Sequence, residues 1–324
     1  MLKVRLGQEA RTLGNAQAVG VDIGFTNLRV GTVDASGRVG RHVSVPTDSA
    51  GGADAVLRQV VDAVAEVSDD VVGVGVGVAG QCDIEHGVVK CGPNLFWEEE
   101  PLQKRLEDAL GLPVVLRNDV IMATVGEWRH GAGRGARDML CLMVGTGIGG
   151  GAIVDGRLLQ GAHGCGGHFG HLSVQEDGAL CGCGRKGCVE AYASGCGLAR
   201  RAQASPELSG SEMLEIVDGD TERITGRDVA MAAMHEDALA VRLRDEAAAA
   251  LGSALASLIN CFNPEKVVLG GTVLMGMPAL FDMATQEALR TILPSHWEGL
   301  AIVPSELGSM AGVIGAGSWV LRPL

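Results

Sequence analysis

The amino-acid sequence predicts an α/β protein of two domains, and three observations support this fold class. The chain has 324 residues, which is enough for two hydrophobic cores. Short apolar runs interrupted by glycine alternate with stretches of helical spacing, as expected for strands and helices in turn. Two strand–turn–strand units with Gly/Thr turns lie about 120 residues apart, which indicates a duplicated fold. We expect each half to bring one such turn to a shared cleft.

The first strand–turn–strand unit is AVGVDIGFTNLRVGTVDASGRV, which predicts a β-hairpin that opens the first domain. Backbone N–H groups and a hydroxyl in such a turn can bind phosphate oxygens, and a carboxylate can hold Mg²⁺. An ordinary hairpin without a ligand is the competing interpretation. The candidate ligand-binding residues of the turn are Asp22, Gly24, Thr26 and Asn27.

Further polar residues of the first half follow predicted strands. A helix is predicted over residues 53–67, and the buried strand after it ends near Gly80. Asn94 lies in the loop GPNLFW, either as a ligand contact or as a simple turn residue. A strand over 114–116 runs straight into a helix, with Asn118 and Asp119 at the junction. Because ligands collect at the carboxyl ends of strands in α/β sheets, Asp119 is a candidate proton acceptor, with helix capping as the alternative.

The second half repeats this layout with the turn GTGIGGG, over residues 145–151. A helical, Ala-rich stretch is predicted from Gly226 to Asn260. The strand after it ends in Gly270-Gly271 before a helix, a shape that can receive the adenosine part of a nucleotide. The last piece, ELGSMAGVIGAGSWVL, predicts a helix whose small residues allow close packing on another helix.

Cysteines are concentrated in one segment of the second half. Five of the nine lie within the 32 residues from Cys165 to Cys196. Three of them form C-x-C-x4-C, and His171 stands ten residues before the first. Three thiolates and one imidazole fill a tetrahedral zinc site and leave no position for water, so we expect structural Zn²⁺; reduced, buried thiols are the alternative. The candidate ligands are His171, Cys181, Cys183 and Cys188.

Composition narrows the function classes. The net charge of −13 argues against affinity for the nucleic-acid backbone, so small molecules are the expected partners. The N-terminal residues lack an apolar core of signal-peptide length. The longest apolar run, over residues 71–79, is too short to span a bilayer. We therefore expect a cytoplasmic protein with no membrane partner.

The order of these pieces resembles the ROK family (repressor, open reading frame, kinase) from about Val19 to Trp319. Its most specific element is H-x9-C-x-C-G-x2-G-C-x-E, which runs from His171 to Glu190. The resemblance implies an actin-like ATPase and hexokinase (ribonuclease H-like) fold, with a cleft between two α/β domains. It divides the chain into residues 1–119, completed by a helix over about 308–324, and residues 120–307 with the zinc loop. It also implies a homo-oligomer, a dimer or tetramer.

Residue roles follow from the same resemblance. It implies an ATP-dependent sugar kinase that phosphorylates the 6-hydroxyl of a hexose, with Asp119 as catalytic base and zinc in a structural role. The implied phosphate and adenosine motifs, with Mg²⁺, comprise Asp22, Gly24, Thr26, Asn27, Gly145, Thr146, Gly147, Gly149, Gly270 and Gly271. The implied sugar contacts are Gly80, Asn94, Asn118, Asp119, His168, His171 and Glu190.

Two departures from the family pattern bear on substrate and activity. Phe25 replaces a glycine in the first phosphate motif, which makes a positive φ there unfavourable. His168 stands where sugar kinases of the family commonly have glutamate. Glucose is the leading substrate, and His168 makes an N-acetylmannosamine or other N-acylhexosamine kinase the alternative. A sugar-responsive repressor would need an N-terminal winged helix of some sixty residues, and only about eighteen precede Val19, so the sequence argues against it. A sugar-binding regulator without catalysis comes third: Asp119 and both phosphate motifs argue against it, and Phe25 favours it.

Overall fold

The computed structural model describes residues 16–68, 70–92 and 95–324, and these form two compact units. Unit 1 comprises the described residues up to Gly126 together with Gly312–Leu324, and unit 2 comprises Glu127–Ala311. Each unit has its own hydrophobic core. These bounds differ by a few residues from the predicted domain boundaries at 119 and 307. The division of the chain into two domains at those residues stays a prediction.

Unit 1 is built on a five-stranded sheet in the order β3-β2-β1-β4-β8. The first three strands form the predicted hairpin and its extension, all antiparallel, and the other two are parallel to β1. Alternate apolar side chains of these strands face the core on one side of the sheet. The strands are β1 (Gln17–Ile23), β2 (Asn27–Asp34), β3 (Val39–Pro46), β4 (Val74–Val78) and β8 (Val114–Asn118).

Two helices, a small sheet and the first eight residues of a third helix, α3, complete this part of unit 1. The helix α1 (Gly52–Val67) buries Val56, Val60 and Val64 against the sheet, in the spacing of one helix face. The sequence did not predict the three-stranded antiparallel sheet, because its strands are very short and two of them flank a loop that contains proline. The remaining elements are β5 (Gln81–Asp83), β6 (Val88–Gly92), β7 (Trp97–Glu100), α2 (Leu102–Leu110) and α3 (Asp119–His130).

Unit 2 repeats the architecture of the main sheet of unit 1. Its strand order is β11-β10-β9-β12-β13, with β9, β10 and β11 antiparallel and β12 and β13 parallel to β9. The duplicated fold expected from the two strand–turn–strand units is confirmed by this order. The strands are β9 (Met139–Val144), β10 (Ile148–Val154), β11 (Arg157–Leu158), β12 (Lys266–Gly270) and β13 (Ala301–Pro304).

The helices of unit 2 differ from the prediction at one place. The helical stretch expected from Gly226 to Asn260 is two helices, because Glu236 has a positive φ of 62° and Asp237 caps the second helix through Ala240 N–H. A run of alanines sets no clear end for a helix, so the break was not visible in the sequence. The helices are α4 (Glu190–Ala193), α5 (Gly195–Gln203), α6 (Glu212–Ile216), α7 (Gly226–Met234), α8 (Ala238–Phe262), α9 (Thr272–Gly276) and α10 (Pro278–Thr291).

The last helix, α11 (Ala311–Leu321), packs unusually close to its neighbours in unit 1. A Cβ on Gly315 would lie 1.7 Å from the carbonyl oxygen of Met122 in α3. A Cβ on Gly75 of β4 would lie 2.0 Å from the carbonyl oxygen of Ala316. The predicted close packing of this small-residue helix on another helix is confirmed, and α11 also packs on the sheet.

Candidate active site

Two aspartates of unit 1 form the acidic part of the candidate site. Asp22 lies near the end of β1, and the hairpin register places it opposite Arg29, whose guanidinium is 3.4 Å from Asp22 Oδ2. Burial and the nearby Asp119 raise the pKa of Asp22 to about 7, although Arg29 opposes this shift. Arg29 was not singled out from the sequence, and counting the antiparallel pairs of the predicted hairpin would have found it.

Asp119 is the first residue of α3, and burial raises the pKa of its carboxyl to about 6. The cap of this helix is Asn118, because its Oδ1 accepts hydrogen bonds from Val120 N–H at 3.0 Å and Ile121 N–H at 3.2 Å. Its Nδ2 donates to the Gly80 carbonyl at 3.1 Å, so Gly80 and Asn118 are brought together. Asp119 Oδ1 also accepts Val120 N–H, at 2.9 Å, so the two side chains share the cap. The partly buried carboxylate of Asp119 lies at the carboxyl end of β8.

The first glycine turn keeps its shape despite the phenylalanine. Gly24 N–H donates to the Asn27 carbonyl at 3.0 Å, and Thr47 Oγ1 donates to the Gly24 carbonyl at 2.8 Å. Phe25 is not among the residues with positive φ, as expected, and the residue is 38% exposed. Thr26 joins the turn to Thr47 through its carbonyl, which accepts Thr47 N–H at 3.1 Å. The turn thus presents an exposed apolar ring beside groups that can bind phosphate.

Asn94, the remaining candidate of unit 1, lies outside the described residues. Its predicted role stays a prediction.

The second turn lies between β9 and β10 and is closed by a hydrogen bond from Gly145 N–H to the Gly147 carbonyl at 2.9 Å. Its outer side is held by the segment after the cysteines: Gly195 N–H donates to the Gly145 carbonyl at 2.8 Å and Cys196 N–H to the Thr146 carbonyl at 3.1 Å. Gly149 lies within β10 rather than in the turn.

Gly270 and Gly271 lie beside this second turn. A Cβ on Gly271, whose φ is 98°, would be 2.3 Å from the Val144 carbonyl oxygen, so only glycine fits between the end of β12 and the end of β9. A Cβ on Gly145 would be 3.6 Å from Thr272 Oγ1. The structure therefore brings Gly270 and Gly271 next to the second glycine turn in unit 2.

The Cys/His group of unit 2 has the dimensions of a tetrahedral metal site. The ligand atoms of His171, Cys181, Cys183 and Cys188 all lie within 4.8 Å of one another. Cys183 Sγ and Cys188 Sγ are 3.7 Å apart, and Cys181 Sγ is 3.7 Å from His171 Nδ1. Bonds of about 2.3 Å to sulfur and about 2.0 Å to nitrogen give tetrahedral sulfur–sulfur and sulfur–nitrogen edges of about 3.8 and about 3.5 Å, so the residues fit Zn²⁺.

The thiols have unequal environments. Burial raises the pKa of Cys181 to about 12. At Cys183 burial alone would raise the pKa, but hydrogen bonds from Arg185 and from the neighbouring thiols lower it to about 7. A buried thiolate at Cys181 is unfavourable without a cation beside it.

His168, His171 and Glu190 lie together next to this group. The rings of His168 and His171 stack with their centroids 6.3 Å apart, and His168 is exposed. Glu190 Oε1 lies 3.9 Å from His171 Nδ1 and 3.5 Å from Cys181 Sγ, while its Oε2 accepts a hydrogen bond from Ile148 N–H at 2.9 Å. The three predicted sugar contacts of unit 2 therefore form one polar cluster.

The two units share a strand order, and each carries a glycine-containing turn between its first two strands, which defines the actin-like ATPase and hexokinase class of two-domain α/β proteins. The model of the ROK family matches residues 18–322, and the chain belongs to this family. Within the described residues, no helix combines the length and apolarity that crossing a bilayer would require.

Individual relatives are similar over nearly the whole chain. A glucokinase from Streptomyces coelicolor is 36% identical over 312 residues, which is 94% of this chain and 98% of the relative. The crystal structure of a ROK family glucokinase from Streptomyces griseus in complex with glucose and AMPPNP has 38% identity and a TM-score of 0.81, covering 93% of this chain and 98% of that one. An N-acetylmannosamine kinase from Citrobacter koseri is 33% identical over 258 residues, 78% of this chain and 82% of the relative.

Proposed function

We propose that the protein is an ATP-dependent sugar kinase that transfers the γ-phosphoryl group to the 6-hydroxyl of a hexose, with glucose as the main substrate. The observation that carries this proposal is the carboxylate of Asp119, at the carboxyl end of β8, with a pKa raised to about 6. A carboxylate with a pKa near the working pH is a suitable proton acceptor for a hydroxyl. The similarity to glucokinases of two Streptomyces species supports glucose as the sugar.

In this mechanism Asp119 accepts the proton of the sugar hydroxyl. The oxygen of that hydroxyl attacks the γ-phosphorus of ATP, and ADP leaves. Asp22 is the candidate to hold Mg²⁺ with the nucleotide, because a carboxylate oxygen is a preferred ligand of this ion. The pKa of Asp22, raised to about 7, means that its ionised form is unfavourable unless a cation accompanies it. Backbone N–H groups of the two glycine turns would stabilise charge on the phosphoryl oxygens.

Adenosine is assigned to Gly270 and Gly271, which adjoin the second turn in unit 2. The sugar contacts are assigned to the residues that the resemblance to the family implies. They are Gly80, Asn94, Asn118, Asp119, His168, His171 and Glu190. A variant at Asn118 would test this assignment, since it should raise the KM for sugar more than the KM for ATP.

Zn²⁺ would be held by His171 and the three cysteines of C-x-C-x4-C. When bound, it would neutralise the charge of the thiolates and hold the loop that carries them in one conformation. We assign it no chemical step. The chain's own residues would do the rest: Cys188 leads directly into Glu190, so a rigid loop would hold both His171 and Glu190.

An N-acetylmannosamine kinase is the second candidate function, favoured by His168. A neutral imidazole offers one donor and one acceptor, whereas the glutamate that is common at this position offers two acceptor oxygens to neighbouring hydroxyls. The similarity to the Citrobacter koseri enzyme gives this candidate a second, weaker support. A regulator that binds sugar without phosphorylating it is the third candidate, because of Phe25 in the first turn.

The experiment is a coupled ADP-release assay with Mg-ATP and five sugars: glucose, mannose, fructose, N-acetylglucosamine and N-acetylmannosamine. The proposal expects glucose to have the highest kcat/KM, and the variant His168→Glu to increase the preference for glucose further. A preference for an N-acetyl sugar would favour the second candidate. Sugar binding without turnover would favour the third. Light scattering of the same samples would test the proposed homo-oligomer.

A further inference from the structure

We propose that Glu190 positions the second glycine turn for nucleotide binding and links this turn to the Cys/His group. This inference rests on the proposed kinase function. It gives Glu190 a role that a sugar contact alone does not require. All the groups concerned lie in unit 2.

One oxygen of the Glu190 carboxylate holds the turn. Oε2 accepts the hydrogen bond from Ile148 N–H at 2.9 Å, directly after the turn Gly145–Gly147. A Cβ on Gly147 would lie 2.8 Å from the same oxygen, so a glycine at this position lets the carboxylate approach the backbone. Hydrogen bonds to an ionised acceptor are about twice as strong as neutral ones. The carboxylate therefore fixes the start of β10, the strand that follows the turn.

The other oxygen faces the Cys/His group. Oε1 is 3.5 Å from Cys181 Sγ and 3.9 Å from His171 Nδ1. The side chain is only 20% exposed, so these contacts are partly shielded from water. One carboxylate thus contacts both the cysteine loop and the turn.

The backbone after Glu190 makes the same connection a second time. Gly195 N–H and Cys196 N–H donate to the carbonyls of Gly145 and Thr146, at 2.8 and 3.1 Å. The segment that begins at Glu190 therefore holds the turn on both sides. If this support is lost, the N–H groups of the turn are no longer preorganised, and nucleotide affinity falls even when no sugar is present.

The test is calorimetric titration of the full-length, zinc-loaded protein with Mg-AMPPNP, without sugar. Glu190→Ala is expected to raise the Kd roughly tenfold, because a charge-assisted hydrogen bond is lost. Glu190→Gln keeps an acceptor for Ile148 N–H but loses the charge, so its Kd should rise only about threefold. The matched control is Glu176→Ala, an exposed glutamate of the same loop, which should bind as the wild type does. Equal Kd values for wild type and Glu190→Ala, with only the KM for sugar raised, would overturn the proposal.

A second arm tests the link to the Cys/His group. Cys183→Ser, with zinc content measured by mass spectrometry, should weaken AMPPNP binding in the wild type but add little in the Glu190→Ala background. Fully additive effects would contradict the link. Should Glu190→Ala fail to fold, Glu190→Asp carries the test, because it keeps the charge but withdraws the carboxylate from Ile148. A wild-type protein that binds no AMPPNP would refute the proposed kinase function instead.

Discussion

Replacing Asp22 by asparagine tests whether the buried carboxylate of the candidate site lowers the stability of the folded protein. The carboxyl is largely buried, with 16% of its side chain exposed, and its pKa is raised from 3.8 to about 7 by burial and by Asp119. The ionised form is therefore unfavourable in the folded protein. We expect Asp22→Asn to stabilise unit 1 at pH 8 while abolishing phosphoryl transfer, since a neutral amide is a poor ligand for Mg²⁺.

The size of the effect follows from the pKa. A rise from 3.8 to about 7 is about three units, and one unit corresponds to about 1.4 kcal/mol. The penalty at pH 8 is thus at most about 4 kcal/mol, and it is reduced by the residual exposure and by the lost contact with Arg29. We expect a gain of about 1–3 kcal/mol.

The pH dependence has a defined sign. Between pH 4 and pH 7 the folded state binds more protons than the unfolded state, because the pKa of Asp22 is higher in the folded state. Stability from this group therefore falls as the pH rises through that range. The advantage of the asparagine variant should be larger at pH 8 than at pH 5, by about 1–2 kcal/mol.

Urea unfolding at pH 5 and pH 8 measures this difference. Asp34→Asn in the same unit is the matched control with the opposite sign: burial alone would raise the pKa of Asp34, but hydrogen bonds from Ser36 and Arg38 lower it. That variant should lose stability at pH 8. If Asp22→Asn is destabilised at pH 8, or gains equally at both pH values, the reasoning is refuted.

Three further predictions concern other parts of the molecule. Asp119→Asn should lower kcat by about 10²–10⁴-fold. The wild-type kcat should fall about tenfold per pH unit below pH 6, because the protonated carboxyl cannot accept a proton. Steady-state kinetics that show unchanged turnover for the variant would exclude Asp119 as the base. Cys183→Ser should lose zinc, measured by mass spectrometry, and melt at a lower temperature, whereas a variant with one zinc per chain would argue against the tetrahedral set. Gly315→Ala should cost more than about 2 kcal/mol in urea unfolding, because its Cβ would meet the Met122 carbonyl at 1.7 Å. Gly210→Ala, with open space around it, should be nearly neutral, and equal effects would contradict the packing argument.

Several features of the fold were predictable because they depend on residues close in sequence. Alternating apolar residues indicated the hairpin of β1 and β2, and valines at helical spacing indicated α1. The motif from His171 to Glu190 indicated the family, and it predicted a group of one histidine and three cysteines whose ligand atoms do lie close together. The small sheet β5–β7 and the break between α7 and α8 were missed, because short strands and alanine-rich helices have weak local patterns.

The sequence by itself determined the fold class, the two glycine turns, the family and the types of residue in the candidate site. Only the tertiary structure decided their environments. The raised pKa values of Asp22 and Asp119 come from burial and proximity, and residues almost a hundred positions apart are brought together by strand pairing. Likewise, Glu190 meets Ile148 across 42 positions of the chain. Local patterns report which element a residue occupies, whereas desolvation and contact between distant residues depend on how those elements pack.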